Sequence, residues 1–582
     1  MEWHKKSISG KYWQQRPHDE RVAATITQRL GLPDLMGSVI ASRNIGIEEA
    51  EHFLNPTLRH FLPDPFHLLD MEKAVERILQ SLKTGKIAIF GDYDVDGATS
   101  SALLANYFKA LHIQPLVYIP DRLKEGYGPN SKALLDLQAQ GAELVITVDC
   151  GTMSFEPLAT AKAAGLDVIV MDHHKGDSEM PPAFAIVNPN RFDETSPHKQ
   201  LAACGVVFLL LVALNQKLKQ QGVLVPDLLS FLDVVALGTV CDVVPLTGIN
   251  RAFVSQGLKI MAKRGNIGIA ALQDRAKITE KLTAYHLGYL LGPRINAGGR
   301  VGKSDLGVRL LSTQDPLEAR EIAETLEQLN AERKAIEAQV QEAAMMQAMQ
   351  LPDSDASIIV AGEGWHPGVI GIVSGRLKEH FGKPAAVIAL SEGIGKASAR
   401  SIAGIDLGAA VIAATHEGIL VQGGGHAMAA GFTINQEKIP ALRDYFNAQM
   451  QQEVIRLTGQ SYLSIDAVVN IRGITTELIE TLDKVAPCGA GNSSVRLVIH
   501  NVKIVKLDVA GQIHIRVIVA DAGIGKGSNS LKAMAFRSLE TPLGHALFDA
   551  KGKTLSLAGQ AKINHWQGRE SIDFVIEDVM VL

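Results

Sequence analysis

Four cysteines are spread through 582 residues, at Cys150, Cys204, Cys241 and Cys488, and no two form a CxxC pair. The usual zinc spacings are therefore missing, there is no disulfide framework, and a reducing cytoplasm fits. Long hydrophobic runs are also scarce. The longest, VVFLLLVAL at 206 to 214, is about half of a membrane span, and the opening MEWHKKSISGKYWQQRPHDER lacks the apolar core of a signal peptide. The expectation is a soluble, cytoplasmic protein with no membrane partner. No general excess of positive charge exists either: the net charge is -5, so any grip on phosphates must come from a local patch or from metal ions. Biased tracts that would force disorder are absent. At roughly 150 residues per domain, the length implies several domains.

What is present begins with alternation. From about residue 84, short β-rich runs (KIAIF, PLVYI, ELVITV, DVIVM, AFAIV) alternate with helical stretches, which predicts an α/β domain with a parallel sheet over 84–314. Residues 1–83, polar, helical and broken by Pro56, Pro63 and Pro65, read as a lead-in that packs on this first domain. Residues 315–350 hold no glycine or proline after Pro316 and are rich in Ala, Glu, Leu and Gln, so a long connecting helix is expected. A smaller α/β domain over 351–455 follows. Over 456–582 closely spaced strands predict a small antiparallel barrel of the OB type, its last two strands joined across NHWQGRE.

The strongest chemical signal is KIAIFGDYDVDG, in which an apolar strand runs into Asp92, Asp94 and Asp96. Alternate positions of an extended segment face one way. D-x-D-x-D-G also opens a calcium EF-hand loop, but position twelve is Leu103 where a bidentate Glu is needed, and a strand precedes the motif where a helix should. Further acids close other apolar runs: Asp149 in VITVDCG, Asp172 with His173 and His174 in VIVMDHH, and Asp242 in VVALGTVCDVV. The expectation is that these acids collect at the carboxyl ends of parallel strands, which converge on one crevice. Such a set would repel itself without cations, and carboxylates with imidazole suit Mg²⁺ or Mn²⁺. Two such ions are a known arrangement for hydrolysing phosphoesters. His174 either orders its neighbour or touches substrate. A P-loop is not present: in GGRVGKS the first glycine of the motif would fall on Ala297.

The ordered set GDYDVDG, VDCG, DHH and GTVCDVVPL resembles the DHH phosphoesterase superfamily, in its branch of bacterial single-strand-specific 5′ to 3′ DNA exonucleases. The resemblance continues through PDRLKEGYG at 120 to 128, GPRINAGGR at 292 to 300, GWHPGVIGIVSGRLKE at 364 to 379, SARSI at 398 to 402 and GGGHAMAAG at 423 to 431, the last a hallmark of the associated DHHA1 domain. It implies a DHH domain, a connecting helix, a DHHA1 domain and a closing OB-fold. It matches Asp92, Asp94, Asp96, Asp149, His173 and Asp242 to ligation of two Mn²⁺ or Mg²⁺ ions, with His174 and Asp172 in catalysis. Arg122, Ser398 and Arg400 correspond to a grip on a 5′ phosphate, for which arginine's planar fork is suited. Arg294, Asn296, Arg300 and His426 correspond to contacts with the strand's backbone.

The implied substrate is single-stranded DNA, cut to 5′-mononucleotides in repair and recombination. A single-strand-binding protein and a helicase are the implied protein partners, and the implied state is a monomer. Two rivals are weighed: a DHH phosphodiesterase for short oligonucleotides, whose members usually lack the long helix and barrel, and a non-catalytic strand-binding scaffold, which should have lost metal ligands. The family pattern is broken at Cys488, Ser493 and Val301-Gly302-Lys303, none within the acidic set.

Overall fold

The computed structural model describes residues 3–122, 124–458, 461–522, 529–566 and 569–582. Two compact units emerge: a larger one of Thr57–Ile455 with Gly489–Gly491, and a smaller one of Met1–Pro56, Arg456–Cys488 and Asn492–Leu582.

The larger unit is built on a five-stranded parallel sheet in the order Leu116–Tyr118, Ile87–Gly91, Leu144–Val148, Asp167–Met171, Ala185–Val187. Every residue of Ile87–Gly91 and Leu144–Val148 is buried, because helices cover both faces of the sheet. The chain order reverses direction between these two strands, so the sheet has its topological switch point there, and the crevice beyond their carboxyl ends opens where Asp92 and Asp149 follow.

Among the described residues, Ala203–Gln220 is the one helix long and apolar enough to cross a membrane. Val206 through Leu211 on it are buried in the main core with the sheet strands, which accounts for its apolar character.

The long helix Pro316–Ala348 starts on an Asp315 cap that accepts from the Leu317 amide, with proline in the first turn where no intrahelical N–H is needed. Its first half lends Ala319, Ile322, Ala323 and Leu326 to the main core. Its second half lends Val340, Ala344 and Ala348 to another core, formed with the sheet that follows. That sheet has the order Gln422–His426, Ala429–Asn435, Ile394–Arg400, Ala385–Ser391, Ile358–Glu363, and only its last pair is parallel. The glycines of GGGH, Gly423 to Gly425, lie in its edge strand.

In the smaller unit, the strands Leu497–Ala510, His514–Asp521, Ser530–Ala535, Arg569–Val581 and Thr554–Trp566 pair in succession, and the last returns to the first. That closes a five-stranded barrel, which removes exposed sheet edges. Gln567 and Gly568, in the NHWQGRE connection, lie outside the described residues.

The lead-in is a correction to the sequence reading. Residues 3–56 group with the barrel's unit, not with the parallel-sheet unit. Ile26, Met36, Val39, Ile40 and Phe53 share one core with Ile471, Leu482, Val485 and Leu497, and the strand Tyr12–Gln15 pairs in parallel with Tyr462–Ile465. Arg43 also donates to the buried Asp466 carboxylate at 3.1 Å. These partners lie more than four hundred residues away in sequence, and local periodicity carries no information about them. Only the part from Thr57 onward joins the first domain, where Met71, Ala74, Val75 and Ile78 enter the main core.

Candidate metal centre

Each acid reaches the crevice through its own piece of local structure. Asp92 leaves the strand Ile87–Gly91 directly. Asp94 caps the helix Val95–Ala110, accepting from the amides of Asp96 at 2.8 Å and Gly97 at 3.1 Å. Asp96, in the first turn, accepts from the amides of Ala203 at 2.6 Å and Cys204 at 3.0 Å, fastening that helix start to the beginning of the helix Ala203–Gln220. A side chain at Gly97 would place its Cβ 2.4 Å from the carbonyl oxygen of Asp92, so the motif's glycine is fixed by close packing against its own loop. Asp149 follows Leu144–Val148 with φ 62, a left-handed conformation that aspartate tolerates better than most residues.

The histidines are held by a dense set of hydrogen bonds. Asp172 accepts on one oxygen from the His173 and His174 amides and from His174 Nδ1 at 2.8 Å, and on the other from the Thr152 amide at 3.1 Å. Asn190 donates to the His173 carbonyl and Asn188 to the His174 carbonyl, both at 2.7 Å. His173 Nδ1 lies 3.1 Å from the Leu201 carbonyl. As the donor there, Nδ1 carries the proton, and the lone pair of Nε2 faces Asp149 Oδ1 at 3.3 Å and Asp96 Oδ2 at 3.9 Å.

Asp242 corrects a second expectation. It caps the carboxyl end of a helix, Leu232–Cys241, and no strand precedes it. That helix is buried along nearly all its length, so VVALGTV is apolar without helical periodicity and reads equally well as a core strand. The side chain still joins the others, with Oδ2 3.6 Å from His173 Nδ1.

Three sets of ligand atoms lie within 4.8 Å of one another: Asp92, Asp94 and Asp149; Asp96, His173 and Asp242; and Asp149, His173 and His174. Four buried atoms here, Asp92 Oδ1, Asp149 Oδ1, His173 Nε2 and Asp242 Oδ2, have no hydrogen-bond partner among the described residues. Buried polar atoms are ordinarily paired. Burial and the neighbouring carboxylates push Asp92 and Asp149 well above the usual carboxylate range, and Asp242 up to about 9. Unpartnered acceptors facing one another across a few ångströms suit hard divalent cations, which take oxygen and imidazole ligands and relieve the repulsion.

Asp172 behaves oppositely. Burial opposes its ionisation, but the hydrogen bond from His174 and the charges of both histidines outweigh it, and its pKa falls well below the ordinary value. His174 is raised by the same bond against its own burial. With its hydrogen-bonding capacity engaged, Asp172 positions the imidazole.

Beside the cluster lies a pocket of about 380 Å³ lined by Arg122, Lys396, Ser398, Arg400, Pro367 and Gly425, among others. Arg122 sits over the Tyr93 ring at 5.1 Å, and Arg400 Nη1 donates to the Ala399 carbonyl at 3.0 Å with Ser398 Oγ at 3.4 Å. Burial and the neighbouring guanidinium of Arg122 hold Arg400 below its ordinary pKa; Arg300, half-buried near Arg122, Arg333 and Arg400, is lowered to about 10 by desolvation and those charges. Arginines depressing one another make a site for an anion. A larger hollow of about 490 Å³, lined by the helix Ile267–Arg275 and the start of the long helix, is remote from this chemistry; its Arg264 and Arg275 pair with Asp274 and Glu324.

Among the other expected contacts, Arg300 donates to the Gly368 carbonyl at 2.9 Å, tying the helix Gly292–Val301 to the domain of the second sheet. His426 ends the edge strand; partial burial and the nearby charges of His174 and Lys175 lower its pKa. Asn296 is half-buried on the same helix as Arg300. Arg294 is different: it is buried, bound to Glu327 on the long helix and to the Leu290 carbonyl, so its guanidinium serves the fold.

Two residues escaped the sequence reading. Tyr127 donates from its hydroxyl to the Asp149 carbonyl at 2.9 Å and lies 3.2 Å from His174 Nδ1, and Lys396 lines the arginine pocket. The flanking glycines of Tyr127, Gly126 at φ 86 and Gly128 at φ 81, were the available signal for a specially shaped loop.

Comparison with known proteins agrees with this geometry. Family models match in chain order: the DHH family N-terminal domain over residues 86–239, the DHHA1 domain over 355–452 and the RecJ OB domain over 465–578. Fold and site thus define a DHH phosphoesterase with an added OB barrel. The chain is 34% identical to the single-stranded-DNA-specific exonuclease RecJ of Escherichia coli (strain K12), covering 94% of this chain and 96% of that one. It is also 34% identical to the Bacillus subtilis (strain 168) enzyme of the same name, covering 97% and 70%. The crystal structure of Thermus thermophilus RecJ in complex with Mn²⁺ superposes with a TM-score of 0.80 at 26% identity, covering 97% of this chain and 78% of that one. The chain belongs to the RecJ family of single-stranded-DNA-specific exonucleases.

Proposed function

We propose that this chain hydrolyses single-stranded DNA from its 5′ end, releasing 5′-mononucleotides, with two divalent cations at the carboxylate cluster. The observation that carries this reading is the pairing of two features: mutually repelling acceptors with no hydrogen-bond partner among the described residues, and an adjoining pocket whose arginines have no ion-pair partner among them. Asp92, Asp94 and Asp149 would hold one ion and Asp96, His173 and Asp242 the other, with Asp149 close enough to serve both. Bound Mn²⁺ or Mg²⁺ supplies an activated water and neutralises charge on the phosphoryl oxygens.

The chain's own residues supply the rest. Asp172 orients His174 and favours its protonated form, so that the imidazole can donate to an oxygen of the scissile phosphate. Arg122, Ser398 and Arg400 would take the 5′ phosphate, with Arg300 adding positive potential. Holding the end group at a fixed place beside the cluster decides which phosphodiester meets the ions, and this sets polarity and product length. The barrel would extend the grip along the strand.

A strand labelled at either end and incubated with Mn²⁺, with duplex and RNA controls, tests the reading. Early release of 5′-labelled mononucleotide from single-stranded DNA alone is expected; binding without cleavage in any divalent metal would overturn it. The same reading includes a cytoplasmic, monomeric enzyme acting in repair and recombination beside a single-strand-binding protein and a helicase. Sedimentation and affinity capture with those purified partners check these points.

A further inference from the structure

Two rings near the crevice have no part in the chemistry above. Tyr285 and Tyr289 stand 59% and 71% exposed, with ring centroids 5.1 Å apart and planes 25° from parallel. Two large, mostly exposed aromatic rings stacked on each other are unusual on a folded surface, and the Tyr285 ring also meets the His286 ring edge-on at 5.8 Å.

Their alignment follows from the sequence. Pro293 has no N–H to give the Tyr289 carbonyl, and its ring would clash there in a regular helix. The chain widens into a π-helix over His286–Leu291 before the α-helix Gly292–Val301 resumes. Such insertions recur at functional sites.

This helix is anchored at both ends of the crevice. At its start, the Cys241 thiol donates to the Leu287 carbonyl at 3.4 Å, and a Cβ on Gly292 would lie 2.5 Å from that sulfur. The tyrosine-bearing segment therefore rests on the turn that presents Asp242. Val243, next along that turn, is 70% exposed with φ 61, an uncommon conformation for a β-branched residue, and adds an apolar surface. At the other end, a Cβ on Gly299 would lie 2.6 Å from the Tyr93 carbonyl, and Arg300 adjoins the arginine pocket. The eleven steps from Tyr289 to Arg300 span about 16 Å at the rise of a helix.

We infer that Tyr285 and Tyr289 form a stacking platform for a base of the substrate strand on the 3′ side of the cut. The inference rests on the 5′-end reading above. A strand with its 5′ phosphate among Arg122 and Arg400 and its first phosphodiester at the cluster would reach the tyrosines by leaving past Asp242, on whose turn their segment rests. The distance corresponds to about five nucleotides at the 3.4 Å spacing of a stacked strand, and fewer if the strand is extended. Phenolic rings stack on any base without reading sequence, which is what an enzyme that advances along a strand requires. A nucleic-acid occupant is favoured over a protein because the rings share one helix with Arg300 and adjoin a ligand of the reacting centre.

The test uses the full-length enzyme in Mn²⁺ with 5′-phosphorylated oligonucleotides carrying one abasic residue at successive positions from the 5′ end. In the wild type, an abasic residue within the first few positions beyond the cut should raise KM for the intact strand. Replacing both tyrosines (Tyr285→Ala with Tyr289→Ala) should raise KM for a fully based strand roughly tenfold or more, leave the loss on KM and not on kcat, and abolish that positional sensitivity. The pair Tyr285→Phe and Tyr289→Phe should restore both, since a ring without its hydroxyl still stacks. Unchanged KM in the alanine protein, or positional sensitivity that survives it, would overturn the inference, as would a change in sedimentation showing that the rings contact a second copy. If the wild type degrades no single strand at all, the 5′-end reading itself fails; wild-type degradation with an indifferent alanine variant sinks the platform alone.

Discussion

Asp149→Asn should do two things of opposite sign: nearly abolish turnover and stabilise the metal-free protein. Asp149 is buried, and its ligand oxygen lies within 4.8 Å of those of Asp92 and Asp94; at an effective dielectric of ~20, each such like-charged pair costs about 3 kcal/mol. Protonation of the cluster relieves part of this, so the amide should stabilise the metal-free fold by about 2 kcal/mol, a rise of a few degrees in Tm. With Mn²⁺ at a hundred times its dissociation constant, the wild type gains about 2.7 kcal/mol. The variant, lacking the carboxylate that can serve both ions, should gain much less. The curves therefore cross, the variant melting later in EDTA and earlier in Mn²⁺. Turnover should fall at least about 10³-fold, equivalent to about 4 kcal/mol of transition-state stabilisation. Calorimetry in both buffers and single-turnover cleavage provide the readouts. A variant that melts earlier in EDTA, or responds to Mn²⁺ like the wild type, would refute the assignment of Asp149 as a shared ligand.

Arg400→Ala should reduce the preference for 5′-phosphate over 5′-hydroxyl ends by roughly tenfold or more, as expected for a lost charge-assisted hydrogen bond; an unchanged ratio of kcat/KM would remove it from the phosphate grip. Asp172→Asn deprives His174 of the carboxylate that raises its pKa. If protonated imidazole is the working form, the basic limb of the activity profile should then move to lower pH, and an unmoved limb would count against that role. Asp233 stands apart from the cluster, raised by burial from 3.8 to about 6. Because its folded pKa exceeds its unfolded one, its stabilising contribution is complete below pH 3.8 and is lost as the pH climbs toward 6. The gap corresponds to about 3 kcal/mol, so Asp233→Asn should raise stability to urea by up to that amount at pH 8 and by little at pH 4; an equal effect at both values would refute the burial argument.

The acidic motifs were legible because their chemistry is local. Three carboxylates beside one strand end, and two histidines after another, announce themselves in a few residues, and the switch point of the sheet brings Asp92 and Asp149 together. Asp242 was found by residue type and misplaced by element, since a helix buried on all sides and a core strand have the same apolar run. Arg294 and Arg300, six residues apart in one helix, could not be separated by sequence. One turns to Glu327 and the other toward Arg122 and Arg400, and only the packing of the long helix decides which. Residues 3–56 were misplaced for a related reason, because the distant apolar residues they pack against lie beyond residue 460.

In the proposed reading, the helix Gly292–Val301 links the part that cuts to the part that measures. The parallel sheet presents the reacting cluster, while Ser398 and Arg400 come from a different sheet joined to it by the long helix. A cut at a fixed distance from a strand's end needs these two parts held at a constant separation. Two connections meet that need: Pro316–Ala348 contributes to both cores, and Arg300 donates to the Gly368 carbonyl immediately before the helix Ile370–Phe381. The buried Arg333, Asn330 and Glu337 lie midway along the long helix, and Arg376 of the second sheet's helix donates to Glu337 at 3.0 Å. Loosening that buried network should therefore blur the length of the product before it lowers the rate of the chemistry, because the candidate ligands among the described residues all come from the first part.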